Sequence, residues 1–194
     1  MNTCKYSLSF SLFCITALLF STLTFAQVQP ENAKVTASRS DLEPLSGDWT
    51  GTLKYLDYSD DSTLVVLNAR MSAKQDGEVV KMTMTVVEPN GEEHPTESEW
   101  SVSRDGRKVN WNGKSWFVSD KKTTDNGTTI VFQGPGMDDD KSAQIMNVLY
   151  IGHQDSCILR KQVLYDGGGR EFVRSEYRFG RVKEDSAAEG KSGE

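Results

Sequence analysis

Five dipeptides that favour tight turns constrain the fold of this chain more than any other feature. Each lies between two runs in which β-branched or aromatic residues alternate with polar ones, and they are Asp76-Gly77, Asn90-Gly91, Asp105-Gly106, Asn126-Gly127 and Gly167-Gly168. Asn-Gly and Asp-Gly accept the positive φ angles of short hairpins, so each site predicts an antiparallel pair of strands. Successive hairpins also make strands that are neighbours in sequence neighbours in the sheet.

Ten alternating runs, separated by turn residues, fill the middle of the chain. They span residues 48–58, 63–74, 79–88, 96–103, 108–112, 115–122, 128–133, 143–152, 157–165 and 171–181. No window of a dozen residues keeps the apolar spacing of an amphipathic helix. A meander of this length should curl and close, because its twist accumulates and closure removes exposed edges. We therefore predict an all-β fold, an antiparallel up-and-down meander barrel of about 8–10 strands.

Alternation within each run predicts which side chains face the interior. In the first run Trp49, Gly51, Leu53 and Tyr55 share one face. The same test assigns the following residues to the interior: Val80, Met82, Met84, Val86, Trp100, Val102, Ile130, Phe132, Ile145, Leu149, Ile151, Val173, Tyr177 and Phe179. Asn147 interrupts one of these apolar rows.

The run 157–165 does not reveal its inner face. Leu159, Val163 and Tyr165 lie on one side, and Ile158 and Leu164 compete with them on the other. Alternation alone does not choose between the two faces.

Both ends of the chain are expected to lie outside the barrel. Residues 1–26 resemble a secretory signal peptide, because Lys5 precedes a largely apolar stretch and Thr24-Phe25-Ala26 offers small residues at the cleavage positions. We expect cleavage after Ala26, export to the periplasm or the exterior, and no stable membrane anchor afterwards. Residues 27–44 are polar and rich in turn formers, which predicts a flexible arm, and residues 183–194 predict a disordered tail. The barrel domain is then residues 45–182.

The charge of the mature chain argues against polyanionic partners. The sequence has 28 acidic and 22 basic residues, and Lys5 leaves with the signal, so the net charge is near −7. Nucleic acids and anionic membrane surfaces are bound largely by neutralising their phosphates, which this balance disfavours. We therefore predict no nucleic-acid partner.

The opening of the domain, Gly47-Asp48-Trp49-Thr50-Gly51, resembles the G-x-W signature on the first strand of lipocalins and related calycin barrels. The whole chain also resembles uncharacterised exported bacterial proteins of lipocalin-like type. The resemblance implies that Trp49 closes one end of the barrel against an arginine from a late strand. Arg174, Arg178 and Arg181 are the candidates, and of these we assign Arg178 to the closure with Gly47 and Trp49.

The chain departs from typical secreted lipocalins in two respects. The mature chain retains a single cysteine, Cys157, so it has no internal disulfide. Ten strands instead of eight suit the fatty-acid-binding or nitrobindin-like barrels of the same superfamily better. These departures leave the class of ligand open.

A nitrobindin-like barrel would carry heme on one histidine, and this chain has two, His94 and His153. Both lie near predicted turns, where a histidine is more often solvated than ligating. Two separated histidines also fall short of the three or four ligands of a zinc site. We predict no cofactor and no metal.

Other candidate chemistry is equally weak. Asp138-Asp139-Asp140 is predicted to lie in a long acidic connection, but the run lacks the alternating ligands of a calcium loop. Cys157 follows His153 by four residues, which on a strand exceeds about 10 Å and prevents direct activation. No catalytic motif is present, so we predict no catalytic residue, and an enzyme ranks third among the functions considered.

The predicted interior therefore carries the main functional hypothesis. Large and adaptable side chains are expected to line it, and the proposed ligand-binding residues are Tyr55, Met82, Met84, Trp100, Phe132 and Asn147, with Trp116 beside them. The leading hypothesis is non-covalent binding of a small apolar molecule. The alternative is a filled barrel that acts as an interaction module through its loops, in particular the connection around residues 138–140.

Overall fold

The computed structural model describes residues 35–153 and 155–183. Ten β-strands account for most of them: β1 (Gly47–Leu56), β2 (Leu64–Asp76), β3 (Val79–Val87), β4 (Glu93–Val102), β5 (Lys108–Trp111), β6 (Lys114–Thr124), β7 (Gly127–Asp138), β8 (Lys141–Gly152), β9 (Ser156–Tyr165) and β10 (Phe172–Arg181). The predicted signal peptide and all but Lys183 of the predicted tail lie outside the described residues.

The ten strands form one closed antiparallel barrel, which confirms the predicted fold class. Every strand pairs with its neighbours in sequence, and β1 pairs with β10 from Trp49 opposite Arg181 to Tyr55 opposite Ser175. One glycine in each predicted turn has positive φ, and these are Gly77, Gly91, Gly106, Gly127 and Gly168. The ladder thus has no free edge along the β1–β10 seam, because the first and last strands protect each other.

The long acidic connection predicted around residues 138–140 is wrong. Strand β7 continues through residues 134–138, and the link to β8 is a two-residue turn. Asp139 and Asp140 have φ angles of 49° and 57°, a conformation that aspartate tolerates. Asp138 is therefore an interior strand residue, and only Asp139 and Asp140 face solvent.

Because successive strands run in opposite directions, the connections divide between two ends of the barrel. The Trp49 end holds the start of β1 together with the turns before β3, β5, β7 and β9. The Arg174 end holds the connections at residues 57–63, 88–92, 112–113, 139–140 and 166–171.

The Trp49 end is closed by the segment that precedes β1. Two short 3-10 turns, Arg39–Asp41 and Glu43–Leu45, lead into the strand. Ala37, Leu42 and Leu45 are buried, and the Ala37 amide donates to the Gly106 carbonyl. We expected a flexible arm, but its described part packs on the barrel because three apolar residues cover the core there.

Trp49 itself lies in the interior, and the arginine that packs on it is Arg181. The guanidinium carbon lies 4.1 Å from the centre of the indole ring, and Arg181 also donates to the carbonyl oxygens of Ser46 and Pro44 at 2.6 and 2.7 Å. Our assignment of Arg178 was wrong. Arg178 points outward, half exposed, and pairs with Glu176. Alternation separates the two arginines, since they are three residues apart on one strand.

Gly47 of the G-x-W signature is explained by the same contact. Its φ of 124° is unfavourable for residues with a side chain, and a Cβ built there would overlap a terminal nitrogen of Arg181. Only glycine lets the Arg181 guanidinium reach the carbonyl groups before β1.

Most of the predicted interior rows are confirmed, with one correction on β10. Val173 was expected to face the interior but is 41% exposed. A bulge between Val173 and Ser175, opposite Gln162 and Lys161, inserts one extra residue and shifts the alternation. The extra residue, Arg174, points inward instead and is fully buried.

The ambiguous run is resolved in favour of its odd-numbered residues. Cys157, Leu159 and Val163 are buried on β9. Lys161 belongs to the same inward row, so a lysine enters the barrel from this strand.

Candidate functional site

The interior at the Arg174 end contains a buried network of charged groups centred on the carboxylate of Asp138. Arg174 donates to Asp138 Oδ2 at 2.9 Å, and neither side chain is exposed. Lys161 Nζ donates to Asp138 Oδ1 at 2.6 Å, and the hydroxyl of Tyr165 donates to Oδ2 at 3.1 Å. Because burying an unpaired charge is costly, the network keeps each of these groups satisfied.

The network shifts the ionisation of its members. Burial raises the pKa of Asp138, but the hydrogen bond from Lys161 and the charges of Lys161 and Arg174 outweigh it, and the pKa lies below its usual range. Burial, the hydrogen bond to Asp138 and its negative charge raise the pKa of Tyr165. At neutral pH the centre of the network is thus a carboxylate held between two cations.

The connection between β1 and β2 covers the network from outside. Asp61 forms an ion pair with Arg174 at 2.7 Å, and the ring of Tyr58 stacks on the Arg174 guanidinium at 4.5 Å. The Arg174 terminal nitrogens also reach the hydroxyl of Tyr165 at 2.8 Å and the carbonyl of Leu56 at 3.4 Å. Arg174 is therefore fully engaged by the protein and serves to hold Asp138 in place.

One side of the barrel wall is notched at this end. Strand β4 pairs with β5 only over residues 100–102, and β7 pairs with β6 only as far as Gln133. Among the described residues, no strand bridges residues 93–98 of β4 and residues 134–138 of β7. The short β5–β6 hairpin ends below them, at the turn formed by Asn112 and Gly113.

A cavity of about 330 Å³ leads from this notch into the barrel. It is lined by Trp111, Asn112, Lys114, Trp116, Met137, Ile145, Asn147 and Lys161. Its size falls at the lower end of the range of ligand pockets, about 300–1,000 Å³. The inward glycines of β7 help to form it, because Gly134 and Gly136 place only backbone beside Trp116 and Ile145.

Three hydrogen-bond donors that line the cavity have no partner among the described residues. They are the indole nitrogens of Trp111 and Trp116 and the side-chain nitrogen Nδ2 of Asn147. Asn147 is only 1% exposed and lies directly opposite Lys161 on the neighbouring strand. Buried donors are nearly always paired in proteins, and the unpaired Asn147 amide beside the cavity favours a guest with an acceptor atom. The indole nitrogen of Trp100, in the packed aromatic region below, is unpaired as well.

Below the cavity the barrel is packed with aromatic rings. Trp100 stacks on Trp111 with ring centres 4.7 Å apart, and Phe132 contacts the two rings edge-on at 5.7 and 6.4 Å. Trp100 and Phe132 are buried almost completely. The half of the barrel towards the Trp49 end is thus a filled core, and the cavity is confined to the Arg174 end.

The six residues predicted to bind a ligand are distributed over these two regions. Asn147 lines the cavity, whereas Trp100 and Phe132 belong to the aromatic floor. Met82 and Met84 are buried on β3, and Tyr55 is half-buried on β1. Met82 also lines a more polar cavity of about 570 Å³, formed mainly by outward-facing residues of β2–β4. The structure therefore brings together only part of the predicted set.

The remaining sequence candidates lie apart from the cavity. His94 is exposed on β4, and His153 is exposed in the turn before β9, where its Nδ1 contacts the Asp125 carbonyl. Cys157 is 2% exposed, and burial raises the pKa of its thiol to about 12. A thiol with such a pKa is protonated at neutral pH and is a poor nucleophile.

Sequence reasoning missed Lys161, Arg174 and Trp111. A signal existed for Lys161, because it interrupts the apolar row that contains Leu159 and Val163. The sequence holds no signal for the inward orientation of Arg174, because a β-bulge cannot be recognised from the alternation of apolar and polar residues.

Comparison with known proteins supports the fold and leaves the function open. No protein-family model matches the chain, and no curated protein is similar to it in sequence. The crystal structure of Rv2717c from M. tuberculosis is similar, with a TM-score of 0.56, 13% identity, and coverage of 77% of this chain and 100% of that one. The S-type phycobiliprotein lyase CPES from Guillardia theta has a TM-score of 0.48 at 14% identity, over 73% of this chain and 90% of its own.

The closed ten-strand meander fits the lipocalin-like barrel that the sequence resemblance implied. In the part of the chain that the structure describes, no helix is both long and apolar enough to cross a membrane.

Proposed function

We propose that this chain is an exported binding protein that holds a small, largely apolar molecule non-covalently in the cavity at the Arg174 end. The observation that carries the proposal is the cavity itself, which combines two indole rings and the apolar side chain of Ile145 with the polar groups of Asn147 and Lys161. Apolar walls with a few placed polar groups are typical of small-molecule sites. The notch gives such a molecule a way in without opening the barrel ladder.

Binding by this cavity is tested with the fluorescent probe anilinonaphthalene sulfonate. Ile145 points into the cavity, and Met146, the next residue on β8, points to the outer face. The variant Ile145→Phe adds a ring to the cavity and should weaken probe binding at least about tenfold, which corresponds to ~1.4 kcal/mol. The variant Met146→Phe should leave binding unchanged.

Equal binding by the two variants would mean that the probe sits on the outer surface and would count against the proposal. Urea unfolding of each variant serves as the control for folding, because this probe also binds partly unfolded proteins. The natural guest is sought by native mass spectrometry of protein purified from its own compartment, where a bound molecule adds a defined mass.

Export is tested separately. If the chain is cleaved after Ala26, the intact mass of the mature protein should correspond to a chain that begins at Gln27. The protein should then be recovered outside the cytoplasm. An intact mass that includes residues 1–26 would remove the exported part of the proposal and leave ligand binding untouched.

The filled-barrel alternative loses the feature that suggested it. The acidic run chosen for partner contacts is a two-residue turn beside a buried aspartate, with Asp139 paired to Lys141.

A further inference from the structure

The walls of the cavity carry positive charge and hydrogen-bond donors but no carboxylate. Lys114 and Lys161 line it, and none of its eight lining residues is acidic. A lysine ammonium has three donors. Lys161 uses one on Asp138, and Lys114 donates to the carbonyl of Pro135 at 2.6 Å.

The deepest polar group of the cavity is Asn147, and its position is fixed by the ladder. Asn147 on β8 lies opposite Phe132 of β7 on one side and opposite Lys161 of β9 on the other. Directly opposed residues on one face have Cβ atoms about 4.5–5.5 Å apart. The Asn147 amide and the Lys161 ammonium can therefore contact the same small group.

The unpaired donors extend around the rest of the cavity. The indole nitrogens of Trp111 and Trp116 and the Nδ2 atom of Asn147 lack partners among the described residues. All three can donate a hydrogen bond, and an indole nitrogen cannot accept one. These donors favour a guest with an acceptor atom, because a purely apolar guest leaves them buried and unpaired.

We propose that the guest is a flat apolar molecule with one carboxylate group, which Lys161 and Asn147 bind at the inner end of the cavity. This inference rests on the proposed function and narrows its ligand class. The rings of Trp111 and Trp116 supply flat apolar surface for the body of the guest. A single negative charge suits the site, because the Asp138 carboxylate behind Lys161 opposes a second one.

Arg174 and Asp138 act as positioning residues in this proposal. Arg174 holds the Asp138 carboxylate, and Asp138 in turn fixes the Lys161 ammonium beside Asn147. The ion pair with Asp138 therefore holds the Lys161 ammonium in one position before the guest binds. Such preorganisation reduces the entropy lost on binding.

The test compares two probes of the same shape, naphthoate and its uncharged amide naphthamide, by calorimetry on the full chain. We expect naphthoate to bind at least about tenfold more tightly, since charge-assisted hydrogen bonds are the stronger kind. Equal affinities would overturn the carboxylate proposal while leaving the proposed function standing. If neither probe binds, and anilinonaphthalene sulfonate does not bind either, the proposed function itself is wrong.

Two variants test whether Asn147 and Lys161 cause the preference for naphthoate. Asn147→Leu keeps the volume of the side chain and removes its donor, and Lys161→Met removes the ammonium group. Each should reduce the preference for naphthoate over naphthamide to about a third or less. Lys122→Met, which removes an exposed lysine of β6, is the matched control and should preserve the preference.

Lys161→Met also removes a partner of buried Asp138, so its unfolding is measured in parallel. Should this variant fail to fold, Asn147→Leu still decides the question, because the Asn147 Nδ2 atom makes no hydrogen bond to the ion-pair network among the described residues. An unchanged preference for naphthoate in Asn147→Leu contradicts the proposal.

Discussion

Asp138 and Arg174 form a fully buried ion pair inside the barrel, with two Arg174 nitrogens 2.9 Å from one carboxylate oxygen. Asp138 ends β7, and Arg174 is the residue that the bulge on β10 turns inward. Apolar packing fills the barrel towards the Trp49 end, and the polar-lined cavity lies beside the ion pair at the Arg174 end.

Loss of the Asp138 charge should destabilise the protein strongly. In Asp138→Asn the partly buried Lys161 loses its counter-charge and the buried Arg174 keeps only that of Asp61. Breaking a buried pair in this way costs about 3–5 kcal/mol. The free energy of unfolding is measured by urea denaturation. Asp140→Asn is the matched control, because Asp140 is exposed and asparagine also accepts its positive φ. A loss below about 1 kcal/mol in Asp138→Asn would contradict the description of the network.

The same carboxylate predicts how stability depends on pH. The folded pKa of Asp138 lies below that of the unfolded chain, so its stabilising effect is complete above about pH 4 and is lost as the pH falls through the folded pKa. The difference in unfolding free energy between the wild type and Asp138→Asn should therefore be constant from about pH 5 to 7 and shrink below about pH 4. A difference that persists unchanged at about pH 2.5 would show that the charge contributes little.

Closure of the Trp49 end should depend on Arg181 and not on Arg178. Arg181→Met removes the guanidinium from the indole ring and leaves the carbonyl groups of Pro44 and Ser46 without their donor, at a cost of about 1–3 kcal/mol. Arg178→Met removes a half-exposed ion pair and should cost about 0–1 kcal/mol. Denaturation of the two variants side by side checks this order, and the reverse order would restore Arg178 as the closing residue.

Gly47 should resist substitution for two reasons, its positive φ and the approach of Arg181. Gly47→Ala is expected to cost about 1–3 kcal/mol. Gly180→Ala is the control, because a Cβ built on Gly180 meets no atom within 4 Å. If both alanine variants unfold at the same urea concentration as the wild type, the explanation of the G-x-W glycine is wrong.

Cys157 should react only when the barrel opens. Its thiol is buried and has a pKa of about 12, so iodoacetamide should modify the native protein far more slowly than the protein in urea. Intact mass spectrometry over time follows the single alkylation. Rapid modification under native conditions would indicate that β9 opens locally or that the thiol is accessible.

Most of the fold followed from the sequence because it depends on local signals. Turn dipeptides such as Asn126-Gly127 set the hairpins, and two-residue alternation identified the inward faces of strands such as β8. These signals involve only a few neighbouring residues, so they can be interpreted without information on tertiary contacts. Closure followed from the number of strands.

The site was harder to predict because it depends on exceptions to those rules. The bulge at Val173 shifts the alternation of β10, so that Arg174 faces inward and Val173 outward. No pattern in the sequence predicts this bulge. Asp138 was taken for a loop residue because its neighbours are also acidic. The length of β5, which creates the notch, is a boundary that local patterns define poorly.

Nuclear magnetic resonance of the indole N–H groups shows whether a guest occupies the cavity beside Trp111 and Trp116. The chain has four tryptophans, and Trp49 donates to the carbonyl of Leu45 at the far end of the barrel, so its signal is an internal control. Titration with anilinonaphthalene sulfonate should shift the Trp111 and Trp116 signals saturably and leave that of Trp49 in place. If the Trp111 and Trp116 signals stay fixed while the probe saturates the protein, the guest does not enter this cavity and the account is wrong.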